Sequence, residues 1–430
     1  MRWDRVVGVS GAGAGSGYVI APRLVLTSAH VVGNCAGAVR VFRPGSSRMF
    51  TTVTVWCDIP GSATDVALLE ISDPAWPDPP SEPVMWGRTV TQEPGIRCVL
   101  TGFPRFAGPD DGPRELEQTS GTLNPGDGFV RDRYIVKLDG HPPDDGTESP
   151  WRGMSGAAVF CGNLLTGVVA ADPAYRGHAA LAAVPAYMLL RNNTFREALT
   201  RHGGHAAWRC EPVELQELMD QQSPLWMTAA ATPAGLLAAR RAIVPFHGRA
   251  QLLNQLRGWA SAPGVGVWLL YGAGGQGKTR VAHFLGDELA EQGWAVLWLD
   301  PDVGKDPLRR LGQVSVPLLI VVDYAETRTE QLGRLFDATS RRAAHTPIKI
   351  LLLARVAGDW GGRTPAPSAA AADAVEQSRG TPLSTLGSTE KARNATHQNA
   401  GVAFADPRAR ATHPRPCSFT PPTPPAHKRR

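Results

Sequence analysis

Short apolar runs separated by Gly, Pro and Asp dominate the first 170 residues of the chain. Runs such as TTVTVWC, DVALLEI and GIRCVLTGF are rich in β-branched residues and too short for ordinary helices. Regularly spaced short strands without helices between them are typical of antiparallel barrels and sandwiches. The pattern therefore predicts an all-β N-terminal region, followed by a helical pattern near residues 184–202.

Beyond Arg241 the pattern changes to apolar strands that alternate with helical segments. The strand-like runs are VWLLY, AVLWLD, PLLIVVD and IKILLLA. Such alternation indicates a parallel sheet with crossover helices. The predicted organisation is a β-rich domain over residues 1–200, a Gly- and polar-rich linker over 201–240, an α/β domain over 241–360 and a tail over 361–430.

The net charge of +5 is concentrated in the tail. Residues 361–430 carry ten Lys or Arg against four acidic residues, a net charge of +6, so the rest of the chain sums to −1. A nucleic-acid-binding face needs basic residues clustered on a structured element, and none is predicted. The tail is rich in Ala, Pro, Ser and Thr and cannot bury enough apolar surface to offset its chain entropy. We therefore expect it to be disordered.

The N-terminus, the length of the apolar runs and the cysteines indicate the cellular compartment of the protein. The N-terminus lacks a basic start followed by an apolar stretch, and no run approaches eighteen apolar residues, so neither a secretion signal nor a membrane span is predicted. The six cysteines are scattered, which favours free thiols in a reducing, cytoplasmic setting. Cys35 and Cys57 could still meet across a barrel, although two small core residues are the simpler interpretation.

The stretch RGMSGAAVF contains a candidate nucleophile, Ser155. Serine reacts at neutral pH only when a base accepts its proton, and that base needs a carboxylate to hold its tautomer. His30 ends the strand-like VLTSAH and Asp65 opens DVALLEI, so a barrel can bring both strand ends together. Each residue alone has a simpler interpretation, as a packed His, a turn Asp or a chance Gly-x-Ser-Gly. Three such contexts in one order are much less expected by chance.

Residues 1 to about 200 resemble a trypsin-like (chymotrypsin-fold) serine protease in GSGYVIAPRLVLTSAH, TDVALLEI and RGMSGAAVF. The resemblance implies a double β-barrel with its cleft between the barrels. It also implies His30 as general base, Asp65 as its orienting carboxylate and Ser155 as acylating nucleophile. The backbone N–H groups of Gly153 and Ser155 would form the oxyanion hole, and the peptidase would need no cofactor.

Two positions depart from the pattern of that family. Secreted relatives carry an aspartate just before the nucleophile, which pairs with a newly cut N-terminus, whereas this chain has Met154. Activation by N-terminal processing is therefore not expected, and the chain would be competent as translated or gated differently. The residue six places before the nucleophile often floors the specificity pocket, and here it is Ser149. A neutral floor gives no reason to expect cleavage after Lys or Arg, although the loop at 141–151 can shift this alignment.

A second chemical signal lies in VWLLYGAGGQGKT, where residues 272–279 fit G-x-x-x-x-G-K-[ST] between a predicted strand and helix. Backbone N–H groups of such a loop surround phosphate oxygens, Lys278 reaches the β- and γ-phosphates, and Thr279 binds Mg²⁺. Asp323, at the end of PLLIVVD, is placed to help hold the Mg²⁺ shell. The predicted nucleotide-binding glycines are Gly272, Gly274, Gly275 and Gly277.

This half resembles the signal-transducing ATPases with numerous domains (STAND), also in VPFHGRAQLL and in KILLLAR, whose Arg355 occupies a sensor-like place. The resemblance implies ATP and Mg²⁺ as ligands, a homo-oligomer switched by nucleotide, and an N-terminal effector domain. Glu326 either positions a water molecule or is a solvated acid at a helix start, and the second interpretation is favoured.

The resemblance stops after about residue 363. The family would continue with another strand, a lid and usually sensor repeats, where this chain has its low-complexity tail. Four strands without a lid leave the nucleotide pocket half built, so the α/β core is predicted to be incomplete. A naturally shortened chain, a change of reading frame near Gly361 and a lid supplied by a partner all stay open.

The leading functional hypothesis is an intracellular serine endopeptidase that acts on proteins or peptides and is restrained or recruited by an ATP-binding module. The alternative is a nucleotide-dependent signalling scaffold whose barrel domain binds peptides without cleaving them. A third interpretation is a plain protease with a vestigial ATPase half. No nucleic-acid or membrane partner is indicated.

Overall fold

The computed structural model describes residues 1–34, 37–77, 84–107, 115–140, 148–203, 208–220, 246, 248–340, 346–357 and 378–384. No helix among these residues is long and apolar enough to cross a membrane. Within them the cysteines form no disulfide; they are Cys57, Cys98, Cys161 and Cys210. Cys35 lies outside the described residues, so its pairing with Cys57 stays a prediction.

Six antiparallel strands close the first barrel in the order β1-β2-β3-β6-β5-β4. Their bounds are β1 Val6–Ser10, β2 Ala14–Ala21, β3 Leu24–Thr27, β4 Val39–Phe42, β5 Met49–Cys57 and β6 Ala67–Ile71. Alternate residues of these strands fill the interior, which contains Val7, Val9, Val19, Val25 and Leu69. This inward–outward alternation is the period-2 pattern of a strand.

A second six-stranded barrel follows in the order β11-β8-β9-β10-β13-β12, and pairing of β11 with β12 closes it. Its bounds are β8 Ile96–Gly102, β9 Glu117–Leu123, β10 Tyr134–Leu138, β11 Ala158–Cys161, β12 Leu164–Ala171 and β13 Ala180–Pro185. Two short strands extend it in parallel from β12, β7 at Trp86–Arg88 and β14 at Cys210–Pro212. The predicted double β-barrel is confirmed.

The two barrels pack through a shared apolar cluster. Tyr18 of the first barrel contacts Phe160 of the second, with ring centroids 5.1 Å apart. A one-turn helix, α1 (Ala29–Val32), follows β3 at this junction, and helices α2 (Ala186–Arg191) and α3 (Asn193–Gly203) follow the second barrel. The fully buried Phe195 of α3 belongs to the same cluster, so the helices seal one side of the interface.

The C-terminal half is a five-stranded parallel sheet with strand order β16-β17-β18-β15-β19. The strands are β15 Val265–Tyr271, β16 Ala295–Trp298, β17 Leu318–Val322, β18 Ile348–Ala354 and β19 Arg379–Pro382. The helices are α4 Ala250–Ser261, α5 Lys278–Glu291, α6 Lys305–Leu308 and α7 Thr329–Ser340. The predicted α/β fold is therefore confirmed.

Strand β19 differs from the expectation of disorder after residue 361. It pairs in parallel with β15, and Leu383 just beyond it is 3% exposed. The sheet thus has five strands where the sequence predicted four. The pattern could not indicate this edge strand, because the strand itself is mostly exposed and is held by backbone pairing and by Trp268, whose Nε1 donates to Thr381 Oγ1. The other residues of the predicted tail lie outside the described ranges.

Residues 208–220, assigned to the linker from sequence, are part of both domains. Strand β14 extends the second barrel, whereas the 3-10 helix Val213–Leu218 buries Leu215 and Leu218 in the core of the α/β domain. Met219 then forms an isolated antiparallel bridge with Leu299 at the end of β16. The barrels and the parallel sheet are therefore joined by a common core. Residues 221–245, the rest of the predicted linker, lie outside the described ranges.

Candidate active site

Strand pairing in the first barrel brings His30 and Asp65 together. His30 lies in α1 directly after β3, Asp65 lies just before β6, and β3 pairs with β6 so that Thr27 faces Ala67. His30 Nδ1 is 2.6 Å from Asp65 Oδ2, and the backbone N–H of His30 donates to Asp65 Oδ1 at 2.9 Å. Because a carboxylate can only accept, Nδ1 carries the proton and Nε2 is left as the basic nitrogen.

The environment keeps Asp65 ionised. Burial would raise the pKa of Asp65, but the hydrogen bonds and charge of His30, helped by a bond from the backbone of Gly61, outweigh burial and lower it. The side chain of Asp65 is 4% exposed, whereas that of His30 is 37% exposed. The carboxylate is therefore shielded behind an imidazole that faces solvent.

His30 and Ser155 line the same cavity, which has a volume of about 430 Å³. His30 follows β3 of the first barrel and Ser155 precedes β11 of the second, so the cavity lies between the barrels, as the resemblance implied. Among the hydrogen bonds of the described residues, none joins the Ser155 hydroxyl to the imidazole. The structure thus places His30 and Ser155 at one cleft and Asp65 behind His30, with the His–Asp bond formed and no Ser–His bond in the described part of the chain.

The backbone before Ser155 leaves two N–H groups unused. Gly153 and Gly156 have φ of +103° and +88°, which residues with a side chain rarely adopt. The N–H groups of Gly153 and Ser155 donate to no acceptor among the described residues. The carbonyls of the same peptide groups are anchored, since Arg152 O accepts from Arg105 N–H at 2.8 Å and Met154 O accepts from Ala157 N–H at 2.9 Å. Met154 itself is fully buried among apolar side chains of the second barrel.

The pocket floor is more polar than Ser149 alone predicts. The hydroxyl of Ser149 donates to Asp172 Oδ2, and His178 Nδ1 bonds to the same oxygen. Asp172 Oδ1 is buried without a hydrogen-bond partner in the described part of the chain, and the side chain is only 9% exposed. Ser149 and Asp172 both line the cavity that holds His30 and Ser155. The expectation of a neutral floor is therefore overturned by a carboxylate from the β12–β13 connection.

The predicted phosphate loop joins β15 to α5. Gly272, Gly275 and Gly277 have φ of +150°, +77° and +84°, so the loop depends on glycine at these turns. Lys278 Nζ donates to Gly272 O at 2.6 Å and to Ala273 O at 3.0 Å. A bound phosphate would have to draw the ammonium group away from these carbonyls.

The predicted Mg²⁺ ligands lie side by side. Thr279 Oγ1 donates to Asp323 Oδ2 at 3.3 Å, although the two residues are 44 positions apart. A hydroxyl and a carboxylate suit Mg²⁺, which usually takes one or two protein ligands and completes its shell with water and phosphate oxygens. The donor set therefore fits the ion expected from sequence.

Two predicted residues of the nucleotide domain meet each other. The Arg355 backbone N–H donates to Glu326 Oε1 at 3.2 Å, and the Arg355 guanidinium lies 5.5 Å from the centre of the Tyr324 ring. Glu326 Oε2 is buried and has no hydrogen-bond partner among the described residues. Glu326 therefore lies at a helix start, as the favoured interpretation predicted, but one of its oxygens is buried rather than solvated.

Sequence reasoning missed three contributors to these sites. Asp172 and His178 come from a loop with no recognisable motif, and Arg328 was not considered. Arg328 Nη1 donates to Leu299 O at 2.9 Å and lies within electrostatic range of Asp323. None of these three residues lies in a motif. The glycine-arginine motif, in contrast, did point to the site, because its Arg249 donates through Nη2 to the phosphate-loop carbonyl of Gln276 at 2.9 Å.

Two family models match the chain. Residues 15–169 match the trypsin-like peptidase domain, and residues 231–364 match the model described as novel STAND NTPase 5. The chain therefore combines a trypsin-like peptidase domain with a STAND NTPase domain. Both resemblances inferred from the sequence motifs are confirmed.

No curated protein matches the chain. Solved structures similar to it include the Rv3671c protease of M. tuberculosis in an inactive form, at 22% identity and a TM-score of 0.31, covering 47% of this chain and 90% of that one. A Glu endopeptidase is similar at 17% identity and a TM-score of 0.33, over 47% of this chain and 92% of that one. Human heparin binding protein is similar at 16% identity and a TM-score of 0.32, over 43% and 86%.

Proposed function

We propose that the protein is a serine endopeptidase in which Ser155 is the nucleophile, His30 the general base and Asp65 the carboxylate that orients the base. The observation that carries this proposal is the His30–Asp65 hydrogen bond at 2.6 Å beside a cavity that Ser155 also lines. A trypsin-like peptidase domain over residues 15–169 supports it. The predicted domain bounds of 1–200 and 241–360 belong to the same proposal, with β14 added to the first domain and β19 to the second.

The proposed reaction follows from the positions of these groups. Ser155 Oγ attacks the carbonyl carbon of the scissile peptide while its proton passes to His30 Nε2, the nitrogen that does not face Asp65. The carbonyl oxygen becomes an oxyanion that the N–H groups of Gly153 and Ser155 stabilise. His30 then gives the proton to the leaving amine, and a water molecule repeats the sequence on the acyl group.

The charge of the pocket favours a substrate with Lys or Arg before the scissile bond. Among the titratable residues that line the cavity, Asp172 has the least exposed side chain, and one of its oxygens lacks a hydrogen-bond partner among the described residues. Leaving a buried carboxylate oxygen unpaired is unfavourable, so a cationic substrate group in reach of it gains affinity. Glu148 at the rim does not compete, because Arg105 and Arg152 pair with it.

The second half is proposed to bind ATP with Mg²⁺ and to regulate the peptidase. Lys278 and the loop glycines would hold the phosphates, and Thr279 and Asp323 would hold the ion, which neutralises phosphate charge when bound. Support comes from the STAND NTPase domain and from the contact of Thr279 with Asp323. ATP hydrolysis, homo-oligomerisation and a cytoplasmic location complete the proposal.

The test is labelling by a fluorophosphonate probe with and without ATP. Wild-type protein should be labelled, Ser155→Ala should not, and Ser120→Ala should behave as wild type because Ser120 bonds to the exposed Asp139. Labelling of Ser155→Ala at the wild-type level would reject this nucleophile.

A nucleotide-dependent scaffold is the second candidate, and the missing hydrogen bond between Ser155 and His30 favours it. In this case the wild-type protein would remain unlabelled, yet its size in light scattering would change with ATP. Labelling of the wild type rejects the scaffold.

A further inference from the structure

One buried serine of the first barrel holds the loop that carries the proposed nucleophile. Ser16, in β2, is fully buried, and its hydroxyl donates to Gly153 O at 2.7 Å while accepting from Phe103 N–H at 3.0 Å. Its backbone N–H donates to Ser155 O at 2.7 Å. All three partners belong to the second barrel, so Ser16 joins the barrels at the proposed active site.

The second barrel can come this close to Ser16 because two of its contacting residues are glycines. Thr27 Oγ1 donates to Ser16 O at 2.7 Å and fixes it from the neighbouring strand. A Cβ at Gly102 would lie 2.5 Å from Ser16 Oγ, and a Cβ at Gly156 would collide with Ser16 O. The two glycines therefore allow the second barrel to reach the serine.

The bonds of Ser16 act on two alternate peptide groups. One peptide group joins Gly153 to Met154 and the other joins Ser155 to Gly156, and Ser16 holds the carbonyl of each. Their N–H groups are also held, because Met154 donates to Trp151 O at 2.9 Å and Gly156 donates to Val169 O at 2.7 Å. Each peptide group is a rigid plane. The plane between them, which carries the unused N–H of Ser155, is therefore fixed from both sides.

We infer that Ser16 is a positioning residue that keeps the oxyanion-binding N–H groups in place without a carboxylate at position 154. Met154 is apolar and fully buried, so no carboxylate can serve this purpose from that position. The inference rests on the proposed peptidase function, since it concerns the stability of the oxyanion hole rather than the chemistry of the nucleophile.

The first test is Ser16→Ala, assayed with the peptide that wild-type protein cleaves fastest. We expect kcat to fall about 10- to 100-fold, less than the 10²–10³-fold loss typical when a donor itself is removed, with KM within about twofold. Inhibition by phenylboronic acid, which forms a tetrahedral adduct with the serine, should weaken by a similar factor. A general loss of packing would not lower kcat and weaken phenylboronic acid inhibition while leaving KM unchanged.

A second variant moves the hydroxyl without removing it. In Gly102→Ala the new methyl group would lie 2.5 Å from Ser16 Oγ and 2.8 Å from Met154 Sδ, so the serine must leave its acceptor. It should reproduce the kinetic effect of Ser16→Ala. The matched control is Thr166→Val, which also removes a buried hydroxyl that donates to a carbonyl, that of Leu164 at 3.1 Å. Its melting temperature should fall, with phenylboronic acid inhibition unchanged.

The outcomes separate this inference from the proposed function. A wild-type protein that neither cleaves peptides nor reacts with a fluorophosphonate contradicts the peptidase itself. If the wild type is active and Ser16→Ala changes neither kcat nor phenylboronic acid inhibition, only the role of Ser16 is contradicted. Equal losses in Thr166→Val would also overturn that role, because they would trace the effect to stability.

Discussion

At the scale of single residues, the bond between His30 and Asp65 has two measurable consequences, one on rate and one on stability. The carboxylate accepts from both the ring and the backbone of His30, so it fixes the position and the tautomer of the imidazole together. Asp65→Asn replaces an acceptor with a group whose amide nitrogen can only donate. The ring nitrogen that should receive the serine proton can then be the protonated one.

We predict that Asp65→Asn lowers kcat by about 10⁴-fold while the fold is retained. The measurement is peptide cleavage at pH 7, with near-ultraviolet circular dichroism as the control for folding. Asp58→Asn, in the loop that precedes Asp65, is a matched carboxylate change outside the His30 bond. An activity of Asp65→Asn close to wild type would argue against the orienting role.

The second consequence is a loss of folding stability at acidic pH. The pKa of Asp65 is lowered in the folded protein, since its bonds to His30 outweigh burial. A lowered carboxylate pKa gives stability that is complete above the unfolded pKa, about 4, and is lost as the pH falls through the folded pKa. Between pH 5 and pH 2, wild-type protein should therefore lose stability more steeply than Asp65→Asn. Urea unfolding followed by Trp fluorescence measures this, and parallel curves would contradict it.

Asp172 provides a prediction on specificity. In Asp172→Asn, cleavage after Lys or Arg should fall by at least about 30-fold in kcat/KM, the equivalent of about 2 kcal/mol for a lost buried charge partner. Cleavage after uncharged residues should change little. The measurement is a peptide library varied at the residue before the scissile bond. Asp127→Asn, a carboxylate paired with Lys137 in another loop, is the control. A wild-type preference for acidic residues would contradict the proposed cation pocket.

The triad candidates and Lys278 were predictable because each lies in a contiguous motif next to a strand. Asp172 was not, because counting back from Ser155 reaches Ser149, and the carboxylate comes from a different loop 23 residues further on. The hydrogen bonds of Ser16 were equally hidden, since they depend on how two barrels approach each other. A sequence motif thus identifies functional residues that lie in one segment, whereas the charge of the pocket depends on residues from several segments.

At the scale of elements, the phosphate loop is held closed by its own lysine. Lys278 bonds to Gly272 O and Ala273 O, so these bonds must be replaced when a phosphate is bound. Lys278→Ala should weaken binding of a fluorescent ATP analogue at least about 10-fold, as expected for a lost charge-assisted hydrogen bond. Arg257→Ala on the exposed face of α4 is the control. Unchanged affinity in Lys278→Ala would contradict the proposed phosphate site.

Alternation of apolar runs with helices was enough to predict the parallel sheet, but neither its order nor its last strand. Strand order depends on contacts between distant segments, and β18 lies between β15 and β17 although it follows both in the chain. Strand β19 is short and mostly exposed, so its residues carry no apolar pattern. Its position is set by pairing with β15, which periodicity does not record.

At the scale of the whole molecule, residues 218–220 place the barrels against the edge of the nucleotide-binding sheet. Asp300 N–H donates to Leu218 O, and Asp220 N–H donates to Trp298 O, both at 2.9 Å. These bonds occupy the outer side of β16, whose inner neighbour β17 leads to Asp323. The segment that follows β14, the strand that extends the second barrel, is therefore one strand away from the strand that leads to the proposed Mg²⁺ ligand.

This arrangement predicts that regulation by ATP depends on Leu218. The side chain is fully buried in the α/β core, and Leu218→Ala should loosen the joint at a cost of about 2–5 kcal/mol. We expect the ratio of fluorophosphonate labelling rates with and without ATP to move towards one, while ATP binding and ATP-free labelling persist.

Leu256→Ala separates this effect from general destabilisation. Leu256 is also fully buried, but it lies on α4 in the core on the other face of the sheet, away from residues 208–220. It should lower stability by a similar amount and keep the wild-type response to ATP, because the joint is intact. The same ATP response in Leu218→Ala and wild type would show that the domains communicate by another route. A wild type without any ATP response would instead contradict the regulatory part of the proposed function, since the joint can transmit only a change that the nucleotide domain makes.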